Sequence, residues 1–413
     1  MKKRKGIALG VAFLALTSVG NIGKSIQNMA IEKEVFHIHD EEYGFDQSVA
    51  CEVANADTLG IRAKSSFLMD FDTKTVVLSH NATARLPIAS MCKIMTLLLS
   101  FEAIDQGVLR FDEELCISEN AASMGGSQVF LEANGKYAVK ELIKSIVVCS
   151  ANDSCVAMAE RIAGSERAFV DKMNEKAKEI GAENTLFANC TGLPKEPQYS
   201  CAKDVAIMLR ALLQHQEYFE FGKVWLEKFA HPKGRFTEIT NTNKLVRFYD
   251  GCDGGKTGFT NEAGFCLAAT AKRNGMRIIS VVIGEESSAN RFDDVRTMFD
   301  YAFANYVKQS IVEANTPLDT LASIKGGKDK TVQVYPERTV SAFTKRGEKG
   351  NYTMEIQLKA LKAPIKKGEQ AGELLLFCDG VEIDRVALLA NENVRKANFF
   401  DYFKEIGRQW NKR

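Results

Sequence analysis

A serine and a lysine at positions 90 and 93 could together form a nucleophilic site. They stand three residues apart in the segment PIASMCKIMT, and on a helix such positions are neighbours on one face. Pro87 is typical of a helix start. The positive field of a helix N-terminus, together with burial among Met and Leu, disfavours a protonated amine. The pair Ser90 and Lys93 therefore predicts a lysine that accepts the proton of an attacking hydroxyl.

Taken alone, this pair is a weak signal, because about one or two Ser-x-x-Lys pairs are expected by chance in a chain of this length. Two further motifs strengthen it. Ser150-Ala-Asn152 follows the helical segment ELIKSIVVC, and Lys256-Thr257-Gly258 follows two glycines. The order SxxK, SxN and KTG is the signature of the serine penicillin-recognising enzymes, and the three motifs together are a strong signal.

The segments around these motifs narrow the resemblance. LPIASMCKIMT, FANCTGLP and DGGKTGFTNEAGF resemble the D-alanyl-D-alanine carboxypeptidases among the low-molecular-mass penicillin-binding proteins. The resemblance covers roughly residues 61–310, and the segment after them also resembles the C-terminal half of that family. The resemblance implies a serine peptidase that removes the terminal D-alanine from peptidoglycan stem peptides and is acylated by penicillin. Such an enzyme would take part in cell-wall biogenesis and in the control of cell shape.

The resemblance implies how the reaction would proceed. Ser90 would be the acylated nucleophile, and Lys93 would be the base that activates it. Ser150 would relay a proton toward the nitrogen of the leaving D-alanine. The backbone N–H groups of Ser90 and Phe259 would form the oxyanion hole, which stabilises charge that develops only at the tetrahedral stage.

The resemblance also implies a set of substrate-binding residues. Asn152 would hold a substrate amide and help to fix Lys93. Lys256 and Thr257 would hold the terminal carboxylate, so that a free C-terminus is selected electrostatically. Gly258 would let the substrate backbone lie along its strand. The resemblance implies no metal and no other cofactor.

Two positions depart from the pattern of the family. Cys92 stands where relatives commonly have Thr or another small residue, and we expect it to have no catalytic role. Thr191 stands where many relatives have His, before the Gly-Leu of FANCTGLP. Because this loop borders the predicted site, the deacylation rate and the fit of the substrate stay open.

Other enzymes of the same fold are the alternatives, namely a β-lactamase or a D,D-endopeptidase, and so is a non-catalytic peptidoglycan-binding protein. No ExxLN motif lies between Ser150 and Lys256, which disfavours a fast β-lactamase. The five histidines, at 37, 39, 80, 215 and 231, lie in no motif, so a histidine-based triad or a zinc peptidase is disfavoured. We expect the segment HPKGRF, residues 231–236, to be a solvated loop.

The hydrophobic periodicity predicts an α+β fold, in which an antiparallel sheet is flanked by helices in a β-lactamase/transpeptidase-like arrangement. Asn274-Gly275 joins two apolar runs and is a strong hairpin signal. After residue 310, strand-like segments and the turn Asp379-Gly380 predict a small all-β domain. The predicted helices cover residues 138–148, 153–163, 166–180, 202–214 and 291–308, besides the one that begins after Pro87.

The ends of the chain suggest export. Four cations at residues 2–5 precede a short apolar run, which is typical of a signal peptide at 1–20. The predicted domains are then a linker at 21–60, the serine transpeptidase-like catalytic domain at 61–310, and a β-sandwich at 311–394.

The composition excludes two kinds of binding site. The net charge of +1 over 413 residues gives no reason to expect nucleic-acid binding. The ten cysteines show no metal-site spacing, and we expect most of them to be small buried hydrophobes.

Residues 395–413 predict a cationic amphipathic helix. Phe399, Phe403, Ile406 and Trp410 fall on one helical face, and six cations accompany two acids. Such a helix suits a membrane interface, although it could also dock on the β domain. We expect a protein at the outer face of the cytoplasmic membrane, attached to the membrane surface through this helix, with peptidoglycan stem peptides and β-lactams as its other partners.

Overall fold

The computed structural model describes residues 54–348 and 351–403. These residues divide into two compact units. The first unit, residues 54–306, combines helices with sheets and is called the mixed unit. The second, residues 307–348 and 351–403, is the β unit. The predicted signal peptide, most of the predicted linker and residues 404–413 of the predicted terminal helix lie outside the described residues.

The mixed unit places its helices around an antiparallel sheet. Its strands are β1 Ser65–Asp70, β2 Val76–His80, β3 Glu114–Cys116, β4 Lys136–Ala138, β5 Leu226–Ala230, β6 Phe236–Thr240, β7 Cys252–Thr260, β8 Gly264–Arg273 and β9 Met276–Glu285. Its helices are α1 Lys93–Asp105, α2 Glu119–Ala122, α3 Val139–Cys149, α4 Asn152–Ala163, α5 Glu166–Glu179, α6 Ala202–Leu212, α7 Tyr218–Gly222, α8 Leu245–Phe248 and α9 Ser288–Asn305.

The main sheet has five strands in the order β2-β1-β9-β8-β7. Strands β8 and β9 form the hairpin predicted from Asn274-Gly275, with Arg273 paired to Met276. Every residue of β1 and β9 is buried, as expected of strands covered on both faces. Helix α6 packs on β1 and β9, and helix α9 packs on β8 and β9. The predicted α+β fold with a helix-flanked antiparallel sheet is confirmed.

The β unit contains strands only, apart from the start of a terminal helix. The strands are β10 Tyr306–Val312, β11 Leu321–Lys325, β12 Thr331–Pro336, β13 Val340–Lys345, β14 Tyr352–Leu358, β15 Leu361–Lys362, β16 Gln370–Cys378 and β17 Val381–Ala390. Six of them form a sheet in the order β14-β16-β17-β12-β11-β15, and β10 pairs with β13. Asp379-Gly380 is the predicted hairpin turn between β16 and β17. The predicted all-β domain is confirmed.

One predicted helix is too long. The helix expected over 291–308 ends at Asn305, and Tyr306–Val312 is strand β10. The segment YVKQSIV contains three β-branched residues, Val307, Ile311 and Val312, which favour a strand over another helical turn. The predicted helix extends three residues beyond Asn305, because the helical period of the preceding residues was extrapolated into the strand.

The prediction of a solvated loop at 231–236 is wrong for His231. This histidine is only 6% exposed and begins the turn between β5 and β6. Its Nδ1 lies 3.0 Å from the hydroxyl of Tyr137 and accepts a hydrogen bond from Arg235, while its Nε2 lies 2.8 Å from Thr237 Oγ1. Burial, followed by the charge of Arg235, lowers the pKa of His231. The residue is a structural link between the hairpin and β4.

The terminal helix predicted over 395–413 begins later than expected: residues 395–398 are not helical, and Lys396 forms a β-bridge with Gly327 instead. Residues 399–403 are helical, and residues 404–413 lie outside the described residues. No described helix combines the length and the apolar character that a bilayer crossing needs. Six of the nine described cysteines are buried, while Cys116 is exposed and Cys149 and Cys378 are partly exposed.

Candidate active site

Ser90 and Lys93 face each other at the start of helix α1. Ser90 lies in a 3-10 turn, Ala89–Cys92, and Lys93 is the first residue of α1. The amine nitrogen of Lys93 is 3.0 Å from Ser90 Oγ and donates a 2.5 Å hydrogen bond to the carbonyl oxygen of Thr191. The arrangement places the amine within proton-transfer distance of the hydroxyl.

Lys93 is completely buried and forms no ion pair with any described residue. Burial lowers the pKa of its amine, because the ammonium form would lose its hydration without gaining an opposite charge. A second buried amine, Lys256, is 1% exposed. Burial, and then the charge of Lys93, lower the pKa of Lys256 well below its usual range. The site therefore favours uncharged amines, and a proton acceptor needs that form.

Two glycines press on the backbone just before the nucleophile. Ala89 has a φ of +47°, in the left-handed region that alanine rarely adopts. A Cβ on Gly258 would lie 2.6 Å from the carbonyl oxygen of Ile88, and a Cβ on Gly192 would collide with the carbonyl of Ala89. The strained turn that presents Ser90 thus depends on two positions that have no side chain.

The SxN motif lies between helices α3 and α4. Ser150 ends α3 with a φ of +65°, and its hydroxyl oxygen is buried without a hydrogen-bond partner among the described residues. Asn152 begins α4, and its side-chain Nδ2 donates a 2.7 Å bond to the carbonyl oxygen of Gly125. A buried hydroxyl without a partner is uncommon and fits a group that waits for a ligand or a reacting atom.

Asp153 is a residue of this site that the sequence analysis missed. Its buried carboxylate accepts 3.1 Å hydrogen bonds from the backbone N–H groups of Val129 and Leu131. Burial raises the pKa of Asp153, while these N–H groups oppose the rise. The carboxylate thereby holds Phe130 in a left-handed conformation, with φ of +61° and an exposed side chain. The available signal was an acid in the first turn of α4, directly after Asn152.

The KTG motif lies on β7, at the edge of the main sheet. The amine of Lys256 donates a 3.0 Å bond to the carbonyl oxygen of Thr257, whose hydroxyl bonds Thr242 Oγ1 at 2.8 Å. The carbonyl oxygen of Gly258 accepts a 3.2 Å bond from Arg291 on α9. Burial lowers the pKa of Arg291 to about 10. Thr242 and Arg291 were not predicted as site residues, because nothing in the local sequence links them to the motif.

The remaining predicted positions can be placed as well. Phe259 follows the KTG motif on β7, and its side chain is 51% exposed and stacks on Phe265 with ring centres 4.3 Å apart. Cys92 is buried, and its thiol donates to the carbonyl oxygen of Asn189. Thr191 reaches Lys93 through its backbone carbonyl, so the interaction is available whatever side chain stands there.

The structure therefore brings the three motifs to one place. Gly258 lies beside the backbone of Ser90, since a Cβ on this glycine would be 3.3 Å from the Ser90 nitrogen. Gly126 lies beside the side chains of Asn152 and Leu193, since a Cβ on this glycine would be 2.9 Å from Asn152 Nδ2 and 3.7 Å from Leu193 Cδ2. Across the part of the chain that the structure describes, no group of three His, Cys, Asp or Glu side chains is placed to hold a metal ion. What the residues offer is a serine beside a buried amine whose pKa is lowered, with further donors around it.

Comparison with known proteins agrees with this geometry. Residues 52–287 match the family described as D-alanyl-D-alanine carboxypeptidase, and residues 306–396 match the C-terminal domain of penicillin-binding protein 5. The D-alanyl-D-alanine carboxypeptidase DacF of Bacillus subtilis is 41% identical over 356 residues, which cover 86% of this chain and 91% of that protein.

Two solved structures are similar over most of the chain. Penicillin binding protein 5 from Haemophilus influenzae has a TM-score of 0.65 at 28% identity and covers 81% of this chain and 98% of its own. PBP3 from Streptococcus pneumoniae, described as a peptidoglycan synthesis regulatory factor, has a TM-score of 0.67 at 27% identity and covers 81% of this chain and all of its own.

Proposed function

We propose a role for each residue of this site on the premise that the chain belongs to the family of D-alanyl-D-alanine carboxypeptidases. The predicted family is thus confirmed, and the protein is a serine-type hydrolase of the D-Ala-D-Ala class. The observation that carries the proposal is the 3.0 Å separation between the buried amine of Lys93 and the hydroxyl of Ser90.

In the acylation step, Ser90 Oγ attacks the carbonyl carbon of the peptide bond between the two D-alanines. Its proton passes to the uncharged amine of Lys93, so that the oxygen gains nucleophilic character as the new bond forms. The backbone N–H groups of Ser90 and Phe259 stabilise the tetrahedral oxyanion. Ser150 relays a proton to the departing amine, and the buried, unpartnered hydroxyl supports this assignment.

Substrate binding uses the other side of the site. Asn152 holds a substrate amide, Gly258 lets the peptide run along β7, and Lys256 with Thr257 holds the terminal carboxylate. The carboxylate supplies the negative charge that buried Lys256 lacks in the free protein, which raises the pKa of its amine and allows binding as an ammonium. A substrate without a free carboxylate would supply no negative charge to the amine of Lys256 and would bind more weakly. Water then hydrolyses the acyl-enzyme on Ser90.

Mass spectrometry after incubation with penicillin tests this proposal. The parent protein should gain one penicillin mass on the peptide that contains Ser90, and the variant Ser90→Ala should gain none. Ser123→Ala, which changes an exposed serine of another segment, should label like the parent. Label on a different residue would reject the assignment, and a parent protein that never labels would favour the non-catalytic alternative.

Steady-state turnover separates the catalytic alternatives. We expect release of D-alanine from a D-Ala-D-Ala peptide to be much faster than hydrolysis of penicillin. The reason is that no sequence resembling the ExxLN motif of class A β-lactamases lies between Ser150 and Lys256. Faster turnover of penicillin would identify a β-lactamase. Cleavage of cross-linked dimers without release of D-alanine from monomers would identify an endopeptidase.

We also propose the domain organisation and location given by the sequence. The protein is exported by the signal peptide 1–20, carries a linker at 21–60, a catalytic domain at 61–310 and a β-sandwich at 311–394, and associates with the outer face of the cytoplasmic membrane through helix 395–413. The exposed side chains of Phe399, Phe400 and Phe403 support the membrane contact. N-terminal sequencing of the cell-associated protein should begin near residue 21, and an intact N-terminus in that fraction would contradict cleavage.

A further inference from the structure

One edge of the β unit gathers cations from three separate segments of the chain. Strands β11 and β15 run parallel, and Lys325 is paired with Lys362. The segment after β11 is tied to the base of the terminal helix, since Gly327 bridges to Lys396 and Lys328 N–H donates to the carbonyl oxygen of Arg395. The segment after β15 joins the same edge through backbone hydrogen bonds between Ile365 and Val394. We call this surface the cationic edge; its cations are Lys325, Lys328, Lys330, Lys362, Lys366, Lys367, Arg395 and Lys396.

The cationic edge is exposed and weakly neutralised. All eight cations are exposed, and the same segments contribute four acids (Asp329, Glu369, Glu392 and Asp401), which leaves a net charge of +4. Arg395 pairs with Asp401, but none of Lys325, Lys362, Lys366, Lys367 and Lys396 forms a salt bridge with a described residue. Like charges side by side on paired strands are destabilising, so the fold gains nothing from this arrangement.

Large apolar side chains adjoin the same edge. Phe399, Phe400 and Phe403 follow Lys396 by three to seven positions and are 77%, 72% and 68% exposed. The ring of Tyr402 lies 5.1 Å from the amine of Lys330, which joins the helical residues 399–403 to the cationic edge. Exposed aromatics next to exposed lysines match the boundary between acyl chains and anionic headgroups. A soluble polyanion would use the lysines alone and leave the three phenylalanines in water.

We propose that the cationic edge of the β unit is itself a docking surface for anionic lipid headgroups, beside the aromatic residues that enter the acyl boundary. The inference rests on the membrane association proposed above and extends it from the terminal helix to the β unit. The lysines of β11, β15 and the segment after β15 bind lipid phosphates, and two attachment regions hold the β unit against the bilayer.

Vesicle binding by the full chain lacking only residues 1–20 tests this proposal. The edge variant carries Lys325→Gln, Lys362→Gln, Lys366→Gln and Lys367→Gln, and keeps the terminal helix intact. The control variant carries Lys140→Gln, Lys172→Gln, Lys178→Gln and Lys272→Gln, which removes the same charge from exposed positions of the mixed unit. The vesicles contain phosphatidylcholine alone or with about a third phosphatidylglycerol, and the readout is the partition constant from flotation.

The edge variant should bind anionic vesicles about 600-fold more weakly than the parent, since each of the four lysines near an anionic surface strengthens binding by roughly fivefold. The control should stay within about twofold of the parent, and the difference should shrink as salt rises. Equal partitioning of the two variants would overturn the proposal. So would a difference that appears with soluble polyphosphate but not with vesicles, because the partner would then be a polyanion.

Penicillin labelling of the same preparations keeps this test separate from that of the catalytic role. Both variants should label to the same extent as the parent, which also shows that they are folded. Loss of labelling in every protein would reject the proposed catalytic role and leave the vesicle result to be judged by itself. If the parent fails to bind anionic vesicles at all, membrane association and the cationic edge are both rejected.

Discussion

In the mixed unit, Lys93 and Lys256 are buried and neither forms an ion pair with a described residue, whereas the lysines of the cationic edge in the β unit are exposed. The β unit does bury a charge at Asp384, but there Arg338 forms two hydrogen bonds with the carboxylate. The same side chain thus serves two purposes. Burial without an opposite charge makes lysine a base or a ligand for an incoming anion, and exposure keeps it a cation for a charged surface.

Replacing Lys93 gives the largest expected effect. Lys93→Met should slow acylation by penicillin by about a thousandfold or more, because the hydroxyl of Ser90 loses its proton acceptor. The temperature of unfolding should change little, because the methionine removes a buried amine that has no ion pair, which offsets the loss of its hydrogen bond to the carbonyl oxygen of Thr191. The matched control is Lys144→Met, a largely buried lysine with Glu141 and Glu227 as partners, which should lose stability and keep the acylation rate. If Lys93→Met lost stability and Lys144→Met lost the acylation rate, the contrast between the unpaired and the ion-paired lysine would be wrong.

Gly192→Ala should have the next largest effect. The new Cβ would collide with the carbonyl of Ala89 at a position where φ is +79°. Gly107→Ala is the control, because φ is +70° there but no atom lies within 4 Å of the new Cβ. Denaturant unfolding should show a loss of about 1 kcal/mol for the control, from the backbone alone. The loss for Gly192→Ala should be about 3 kcal/mol, with slower acylation. Equal losses would mean that the turn at Ala89 tolerates the contact.

Arg338→Met probes the paired buried charge of the β unit. It leaves Asp384, whose side chain is only 3% exposed, without its cation. The free energy of unfolding of the β unit should fall by about 2 kcal/mol, a value reduced from that of a fully buried pair because Arg338 is 37% exposed. The double variant Arg338→Met with Asp384→Leu should recover most of this loss. A single variant as stable as the parent would show that the pair contributes nothing.

The mixed unit should lose stability as pH rises, and Glu285 provides the test. Burial, and then the carboxylate of Asp294, raise the pKa of Glu285 from 4.5 to about 8. The folded state therefore binds a proton that the unfolded state has lost, and the free energy of unfolding falls as pH rises from about 4.5 to 8. Glu285→Gln should remove most of this fall, because glutamine does not titrate. A parent protein whose stability is flat across this range would contradict the assignment.

The sequence predicted the parts of the fold and the site that depend on local pattern. Asn274-Gly275 marked a hairpin and the motifs marked Ser90, Lys93 and Lys256, because turn geometry and helical spacing are local. Tertiary structure supplied the rest. The close approach of Gly192 to the backbone of Ala89 joins positions more than 100 residues apart, and no spacing rule predicts it.

The same reason explains the errors and omissions. His231 lies in a polar segment, yet distant side chains bury it. Asp153 resembled an ordinary acid of a helix start, although its carboxylate fixes a loop more than 20 residues away. The cationic edge could not be seen in the sequence, because its lysines are separated along the chain and meet only through the pairing of β11 with β15 and the bridge from Gly327 to Lys396.

The ionisation state of the Lys93 amine is the sharpest test of the proposed mechanism. In protein labelled with ¹⁵N at the lysine side chains, the Nζ resonance of Lys93, assigned by its loss in Lys93→Arg, can be followed across pH. We expect an uncharged amine at neutral pH, with a titration midpoint well below the usual value of about 10.4 for lysine. A resonance that stays that of an ammonium through neutral pH and titrates at the usual value would contradict the account.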